Sequence, residues 1–315
     1  MKKMAANCFL LLLILTLATA AFFWRGPVTC LARAGRSLEK NMAKYRYHKN
    51  FEQLEFTLLR EAKLSPLAIR LCLYDFATEK WFGLEEDRPV YPASLIKTLY
   101  LLAALEQVEQ GHLSLQQDYM LTEEHRYAGG TPVTGSGLLQ FAPGGQSYRL
   151  EELLSLMVSA SDNIAANMVL DLVGPARITN LARRLGLEQT RATRKMYDLT
   201  SSLPSNRSTA RELTKMLVAL QKRQVCHEEL TLKAIKMMEQ TNDKDRIGLK
   251  LTGSPVIVAN KTGTVTGMIG DMALLYYPDR PPVAVTIIIE NPPSKEEAAR
   301  EIGRLSSIIV NLLKP

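Results

Sequence analysis

The chain has 315 residues, of which 46% are hydrophobic and 23% are charged, and its formal net charge is +7 at pH 7. This length and composition are sufficient for a sizeable buried core and argue against a disordered chain or a repeat array. The net charge is moderate, so it is compatible with an anionic cell envelope but does not indicate nucleic-acid binding. We therefore expect no nucleic-acid partner.

Residues 1–24 have the pattern of an export signal. Two lysines precede an apolar run over 8–23, and Ala-Thr-Ala at 18–20 is a suitable signal-peptidase site. The run is short for a membrane span, but Phe22–Trp24 extend it, so an uncleaved anchor remains open. The basic residues that follow oppose the usual positive-inside bias. We predict an exported protein, secreted or anchored in the cell envelope, whose membrane contact is limited to this leader.

The rest of the chain divides into a basic tether, 25–50, and a catalytic domain, 51–315. Apolar residues recur at helical spacing over 51–64, and the segments 67–76 and 79–83 predict a strand hairpin. Residues 91–249 are predicted to be a helical block. Four helices are predicted in it: one over 95–105, one that begins near residue 150, one that follows the N-cap Asp162, and one over 209–222. Residues 186–208 are predicted to be a long loop.

The C-terminal part predicts strands rather than helices. Strands are expected at 256–261, 268–277 and 283–290, before a final helix that Ser294 caps. The fold class is therefore α+β, with one antiparallel sheet of about five strands built from both chain ends (51–90 and 250–315). Terminal helices flank this sheet, and the all-helical part, 91–249, is an insertion between its strands.

Three short motifs occur in order along the domain. They are Ser-x-x-Lys at Ser94–Lys97, Ser-Asp-Asn at Ser161–Asn163 and Lys-Thr-Gly-Thr at Lys261–Thr264. A second Ser-x-x-Lys begins at Ser37, but it lies in the polar tether, whereas Ser94 opens a buried apolar helix. Each motif alone is compatible with a cap or a turn; together they indicate a catalytic site.

The residue types suit acyl transfer to a serine. Ser94 and Lys97 share a helix face, and burial lowers the pKa of a lysine so that its amine can act as a base. Ser161 can pass a proton to a leaving nitrogen, and Asn163 can orient Lys97 and a substrate amide. Lys261 offers a positive charge to a substrate carboxylate, and Thr262 and Thr264 offer hydroxyl groups. A Ser-His-Asp triad remains open but leaves the three motifs unexplained.

The cysteine and histidine positions indicate neither a metal site nor a disulfide framework. Outside the leader the cysteines are Cys30, Cys72 and Cys226, and none has metal-ligand spacing with the four histidines. We expect no cofactor, no metal and a monomer.

From Phe51 onward the chain resembles the class A β-lactamases, within the penicillin-recognising serine acyltransferases. The resemblance lies in Tyr91–Ser94, Pro132–Thr134, Ser161–Asn167 and Lys261–Gly263. It implies a β-lactamase/transpeptidase-like fold, with Ser94 as the acylated nucleophile, Lys97 as its proton partner and the backbone N–H groups of Ser94 and Thr264 as the oxyanion hole. It also implies a β-lactam or a peptidoglycan peptide as substrate.

One loop departs from the family pattern. Class A enzymes have Glu-x-x-Leu-Asn there, and this Glu activates the deacylating water; an ungapped match places Met196 at the Glu and Thr200 at the Asn. Asp198 is the nearby acid that could take this role. The acid that usually pairs with the loop arginine is also missing, with Ser208 near its place.

The overall likeness favours a β-lactamase, and two alternatives remain open: a D-alanyl-D-alanine carboxypeptidase or transpeptidase, and a penicillin-binding protein whose acyl adduct persists. All three share the acylation chemistry, and they differ in whether the acyl adduct turns over.

The leader and the extracellular substrates predict that the domain lies outside the cytoplasmic membrane. Protease added to intact spheroplasts is therefore expected to degrade it, with a cytoplasmic protein in the same cells as the protected control. Full protection would place the domain inside the cell.

Overall fold

The computed structural model describes residues 42–314, within which Phe51–Lys314 form a compact unit. Residues 42–50, predicted as the end of a tether, are helical and belong to a helix, α1, that ends at residue 64. The leader and the remaining tether, residues 1–41, lie outside the described part of the chain. Within residues 42–314, no helix has the length and apolar character needed to cross a membrane.

The centre of the domain is a five-stranded antiparallel sheet with the order β2-β1-β5-β4-β3. Its strands in chain order are β1 (Ala68–Asp75), β2 (Lys80–Leu84), β3 (Ile257–Val265), β4 (Met268–Tyr277) and β5 (Arg280–Glu290). The N-terminal strand β1 pairs directly with the C-terminal strand β5, in a register that places Cys72 opposite Thr286. The predicted sheet from both chain ends is therefore confirmed.

Helices cover both faces of this sheet. On one face, Phe51, Leu54 and Leu58 of α1 join apolar residues of the C-terminal helix α8 (Lys295–Leu313) in one core. The opposite face packs against the helical insertion, which forms a second core. The helices of the insertion are α2 (Lys97–Glu109), α3 (Leu150–Ser159), α4 (Asn163–Val173), α5 (Pro175–Arg184), α6 (Ala210–Gln221) and α7 (Glu228–Glu239).

Helix α2 runs through the interior of this second core. Its residues from Lys97 to Leu105 are all buried, as its nearly unbroken apolar sequence predicts. Helices α5 and α7 add to the predicted helices. The insertion also holds two short antiparallel ladders that the sequence pattern did not predict, Asp118–Met120 with Ser147–Arg149 and Tyr127–Ala128 with Thr131–Pro132.

Two boundaries near the motifs differ from prediction. Strand β3, expected to end at Lys261, continues to Val265, and Gly263 pairs with Gly270 of β4. Glycine usually weakens a strand, which is why the sequence suggested an end there. Ser94 does not open an α-helix but lies in a 3-10 turn, Ala93–Ile96, that precedes α2. The main-chain φ angle of Ala93 is +45°, so the chain bends sharply just before the serine.

Candidate active site

The three motifs meet in one cleft of about 350 Å³. Ser94 lines it from the 3-10 turn, Ser161 lines it from the turn before α4, and Lys261, Thr262 and Thr264 line it from β3. Ser94 is half-buried, so its hydroxyl is reachable from the cleft. The structure thus gathers residues that are separated by up to 170 positions (264 minus 94) in the sequence.

Gly263 has a packing role in this assembly. A Cβ atom on Gly263 would lie 2.8 Å from Leu95 Cγ and 3.1 Å from the carbonyl oxygen of Pro92. Both contacts are closer than ordinary van der Waals packing, so only glycine lets β3 lie against the turn that carries Ser94. The third residue of Lys-Thr-Gly therefore sets how closely Ser94 and Lys261 approach.

The amine of Lys97 is fully buried and held by the Ser-Asp-Asn turn. Its Nζ donates to the carbonyl oxygen of Ser161 at 2.6 Å and to Oδ1 of Asn163 at 2.8 Å, with a longer contact to the Ser161 hydroxyl at 3.4 Å. Asn163 is oriented in turn because its Nδ2 donates to the carbonyl oxygen of Thr134 at 2.7 Å. The first two motifs are thus joined by direct hydrogen bonds.

The surroundings of Lys97 favour its neutral form. Burial lowers the pKa of this lysine well below its usual value, and the nearby positive charge of Lys261 lowers it further, while Asp162 acts in the opposite direction. A neutral amine has two N–H groups and one lone pair, and the two short bonds use both N–H groups. The lone pair is then available to accept a proton.

Asp162 holds the turn rather than taking part in the cleft chemistry. One carboxylate oxygen caps α4 by accepting from Ala165 N at 2.9 Å, and the other accepts from Leu139 N at 2.8 Å. A Cβ atom on Gly137 would lie 2.2 Å from that second oxygen, so the neighbouring loop requires glycine there. Ser161 itself has a φ of +54°, a strained value for serine that these contacts maintain.

The hydroxyl of Ser161 lies between two amines. Lys261 Nζ donates to Ser161 Oγ at 2.9 Å and to the carbonyl oxygen of Thr262 at 2.8 Å. Burial lowers the pKa of Lys261 to about 7, against the opposing effect of the Asp271 carboxylate. Ser161 can therefore pass a proton within a chain of three polar groups that runs from Lys97 to Lys261.

Arg246 is a residue of the cleft that the sequence analysis missed. Its Nη1 donates to the carbonyl oxygens of Gly263 and Gly270, at 2.8 and 2.7 Å, and its Nη2 donates to Thr264 Oγ1 at 2.7 Å. This buried guanidinium lines the cleft and also pairs with Asp243 at 3.3 Å and Asp245 at 3.4 Å, so its positive charge is partly compensated. No short motif surrounds Arg246, so only the folded structure shows that it belongs to the cleft.

The loop over 186–208 brings no carboxylate to the Ser94 cleft. Met196 is buried, with 6% of its surface exposed, and its main chain is clamped by Asn167, whose Oδ1 accepts from Met196 N at 2.7 Å and whose Nδ2 donates to Met196 O at 3.0 Å. Asp198 lines a neighbouring cavity and accepts from Ser201 N at 3.0 Å. Thr200 donates to the carbonyl oxygen of Gly129 at 2.6 Å.

Comparisons with known proteins show which family the chain resembles. Residues 55–313 match the family described as the beta-lactamase enzyme family. A β-lactamase of Streptomyces albus G is 27% identical over 241 residues, 73% of this chain and 74% of that protein. The extended-spectrum β-lactamase PER-1 of Pseudomonas aeruginosa is 26% identical over 215 residues, 64% of this chain and 68% of that protein.

Solved structures show the same fold. The β-lactamase of Sphaerobacter thermophilus has a TM-score of 0.74 at 24% identity, covering 82% of this chain and 96% of its own. A mutant of PBP-A, solved as an acyl-enzyme complex with penicillin G, has a TM-score of 0.74 at 20% identity, with the same coverage. Because the family match spans most of the chain, the protein belongs to the beta-lactamase enzyme family and is a class A β-lactamase-like serine hydrolase.

Proposed function

We propose that the protein opens the amide bond of β-lactams by acylating Ser94, and that it hydrolyses the resulting acyl-enzyme slowly. The observation that carries this proposal is the buried Lys97 amine, whose lowered pKa favours the neutral form and which shares its hydrogen-bond network with Ser161 and Lys261. The acylated relative PBP-A supports the first step.

In the acylation step, the lone pair of Lys97 accepts the hydroxyl proton of Ser94, and Ser94 Oγ attacks the β-lactam carbonyl carbon. The backbone N–H groups of Ser94 and Thr264 stabilise the oxyanion that forms. When the carbon–nitrogen bond breaks, the leaving nitrogen takes a proton from Ser161 Oγ, and the proton on Lys97 replaces it. The 3.4 Å contact between Lys97 Nζ and Ser161 Oγ supports this last transfer.

The substrate carboxylate is proposed to bind at the β3 side of the cleft. Lys261 supplies the positive charge, and the hydroxyl groups of Thr262 and Thr264 lie on the same strand; the charge of Arg246 is partly compensated by Asp243 and Asp245. Arg246 Nη2 donates to Thr264 Oγ1 and so holds the Thr264 hydroxyl at the β3 side of the cleft. Charge-assisted hydrogen bonds of this kind orient the β-lactam carbonyl toward Ser94.

Deacylation is proposed to be the slow step because Met196 cannot deprotonate a water molecule. Removing a positioned general base typically costs about two to four orders of magnitude in rate. Asp198 remains the candidate for a relocated base, although its carboxylate lines the neighbouring cavity.

The methionine at position 196, in place of a general base, also favours a second candidate function. A chain that acylates readily and releases slowly suits a penicillin-binding protein, or a D-alanyl-D-alanine carboxypeptidase or transpeptidase that acts on peptidoglycan peptides. In each case we place the reaction outside the cytoplasmic membrane, where these substrates occur, and propose that the protein acts there as a monomer.

Replacing Ser94 by alanine is expected to abolish labelling by a fluorescent penicillin, because the acyl group then has no nucleophile. The matched control is Ser37→Ala, which changes the other Ser-x-x-Lys and is expected to leave labelling unchanged. Gel fluorescence of the two purified variants measures the outcome. Persistent labelling of Ser94→Ala would exclude Ser94 as the nucleophile.

The acylation rate should depend on the protonation of Lys261. Its pKa is about 7, so the ammonium that binds the carboxylate is present below this pH and is lost as the pH rises above it. We expect the second-order rate of acylation by benzylpenicillin to fall above pH 7, approaching tenfold per pH unit. In Lys261→Arg, which keeps its charge, this alkaline fall should disappear; identical profiles for both proteins would contradict the assignment.

Restoring the family residues in the loop is expected to speed deacylation. The double variant Met196→Glu with Thr200→Asn should release benzylpenicilloate about a hundredfold faster than the wild type, because a base is again present. Whole-protein mass spectrometry after a penicillin pulse measures the decay of the adduct.

Asp198→Asn serves as the control for a relocated base. A wild type that turns over rapidly together with an Asp198→Asn variant that stalls would show that Asp198 already performs deacylation. Met196 would then not limit the reaction.

A further inference from the structure

The wall of the Ser94 cleft contains a carboxylate as well as two cationic groups. Among residues 42–314, the charged side chains that line this cleft are Lys261, Arg246 and Asp243. About a third of the Asp243 side chain is exposed (35%), so it is accessible from the cleft. A negative charge is unexpected in a cleft that is proposed to bind the carboxylate of a β-lactam, because like charges repel.

Asp243 is held at the cleft wall through its main chain. Asn260 Nδ2, on β3, donates to the carbonyl oxygen of Asp243 at 3.1 Å, and the N–H of the preceding Asn242 donates to the carbonyl oxygen of Ser159 at 3.1 Å. The backbone N–H of Asp245 donates to Asp243 Oδ1 at 3.3 Å. These bonds keep the carboxylate in a fixed place beside β3.

Arg246 does not fully neutralise Asp243, because its guanidinium serves two carboxylates. It pairs with Asp243 at 3.3 Å and with Asp245 at 3.4 Å. The hydrogen bond to Asp243, together with burial, raises the pKa of Asp245 to about 6, so above this pH both carboxylates are charged. Two negative charges against one positive charge leave a net negative charge at this wall.

The lysine next to Asp243 in the chain is engaged elsewhere. Lys244 Nζ donates to Asn260 Oδ1 at 2.6 Å, behind the cleft wall, and Lys244 does not line the cleft. Burial lowers the pKa of Lys244, and the carboxylates that oppose this most strongly are Asp271 and Glu239. Asp243 is therefore left with its half share of Arg246.

Asp243 also lies next to the proposed carboxylate site. Arg246 Nη2 contacts both Asp243 Oδ2, at 3.3 Å, and Thr264 Oγ1, at 2.7 Å. The two oxygens are therefore no more than about 6 Å apart, the sum of these distances. A group that a substrate carries close to its carboxylate then comes within reach of Asp243.

We propose that Asp243 determines substrate specificity by binding a cationic group next to the substrate carboxylate, on the part of the molecule that leaves. The inference rests on the proposed acylation of Ser94 with the carboxylate at Lys261. In a cephalosporin, the nitrogen that leaves the carbonyl belongs to the ring that bears this carboxylate, so the neighbouring substituent of that ring lies on the same side of the cleft. The favoured substrates are zwitterionic there, with a carboxylate at Lys261 and a cation at Asp243.

The test uses two cephalosporins with the same 2-thienylacetyl side chain. Next to the carboxylate, at carbon 3 of the ring, cephaloridine carries a pyridinium and cephalothin a neutral acetoxy group. Second-order acylation rates are measured by stopped-flow competition with a fluorescent penicillin. In Asp243→Asn, the ratio of the cephaloridine rate to the cephalothin rate should fall about fivefold, as for a partly exposed ion pair. The cephalothin rate itself should rise, because a charge that repels its carboxylate is removed.

Asp245→Asn is the matched control, because Asp245 pairs with the same arginine but its side chain lines a different cavity. Its ratio is expected to stay within about twofold of the wild type. Asp243→Glu, which keeps the charge, should retain most of the cephaloridine preference, and it tests the proposal even if Asp243→Asn folds poorly. A ratio that falls as far in Asp243→Glu as in Asp243→Asn would contradict a role for the charge.

The outcomes separate this inference from the proposed function. If both cephalosporins acylate the wild type but their ratio is unchanged in Asp243→Asn, the carboxylate only supports Arg246 and the inference is wrong. An equal fall in Asp245→Asn would reduce the effect to net charge and would likewise overturn it. If neither the cephalosporins nor benzylpenicillin acylate the wild type, the proposed function itself fails.

Discussion

The buried amine of Lys97 is the point on which the arrangement of the site depends. An amine without solvent must find hydrogen-bond acceptors, and here they are the Ser161 carbonyl and the Asn163 side chain. These bonds fix the turn before α4 against the start of α2, although the two segments are more than 60 residues apart. The same burial that requires these partners lowers the pKa of the lysine and so favours the neutral form that can accept a proton.

The sheet supplies the third side of the site through the edge strand β3. Because Gly263 has no side chain, β3 packs directly on the turn that carries Ser94, and Lys261 reaches Ser161. Arg246 then bridges the carbonyls of Gly263 and Gly270, which ties β3 to its neighbour β4 through a side chain as well. The proposed carboxylate site on β3 and the proposed nucleophile in the 3-10 turn thus lie on two elements in direct contact.

The long loop over 186–208 is held in place through its main chain. Asn167 and Asn206 hold its main chain at Met196 and Arg194 through paired amide bonds. These bonds act on the backbone, so they do not depend on which side chain stands at either position.

The sequence by itself determined the motifs and most of the elements. Helical spacing and alternation predicted the sheet from both chain ends, and the order of Ser94–Lys97, Ser161–Asn163 and Lys261–Thr264 predicted one acyl-transfer site, because these signals are local in the chain. The tertiary structure decided what is not local. It placed Ser94 in a 3-10 turn, extended β3 through Gly263 and brought Arg246 into the cleft. Each of these depends on contacts between segments far apart in sequence, whose packing and charge compensation no local pattern records.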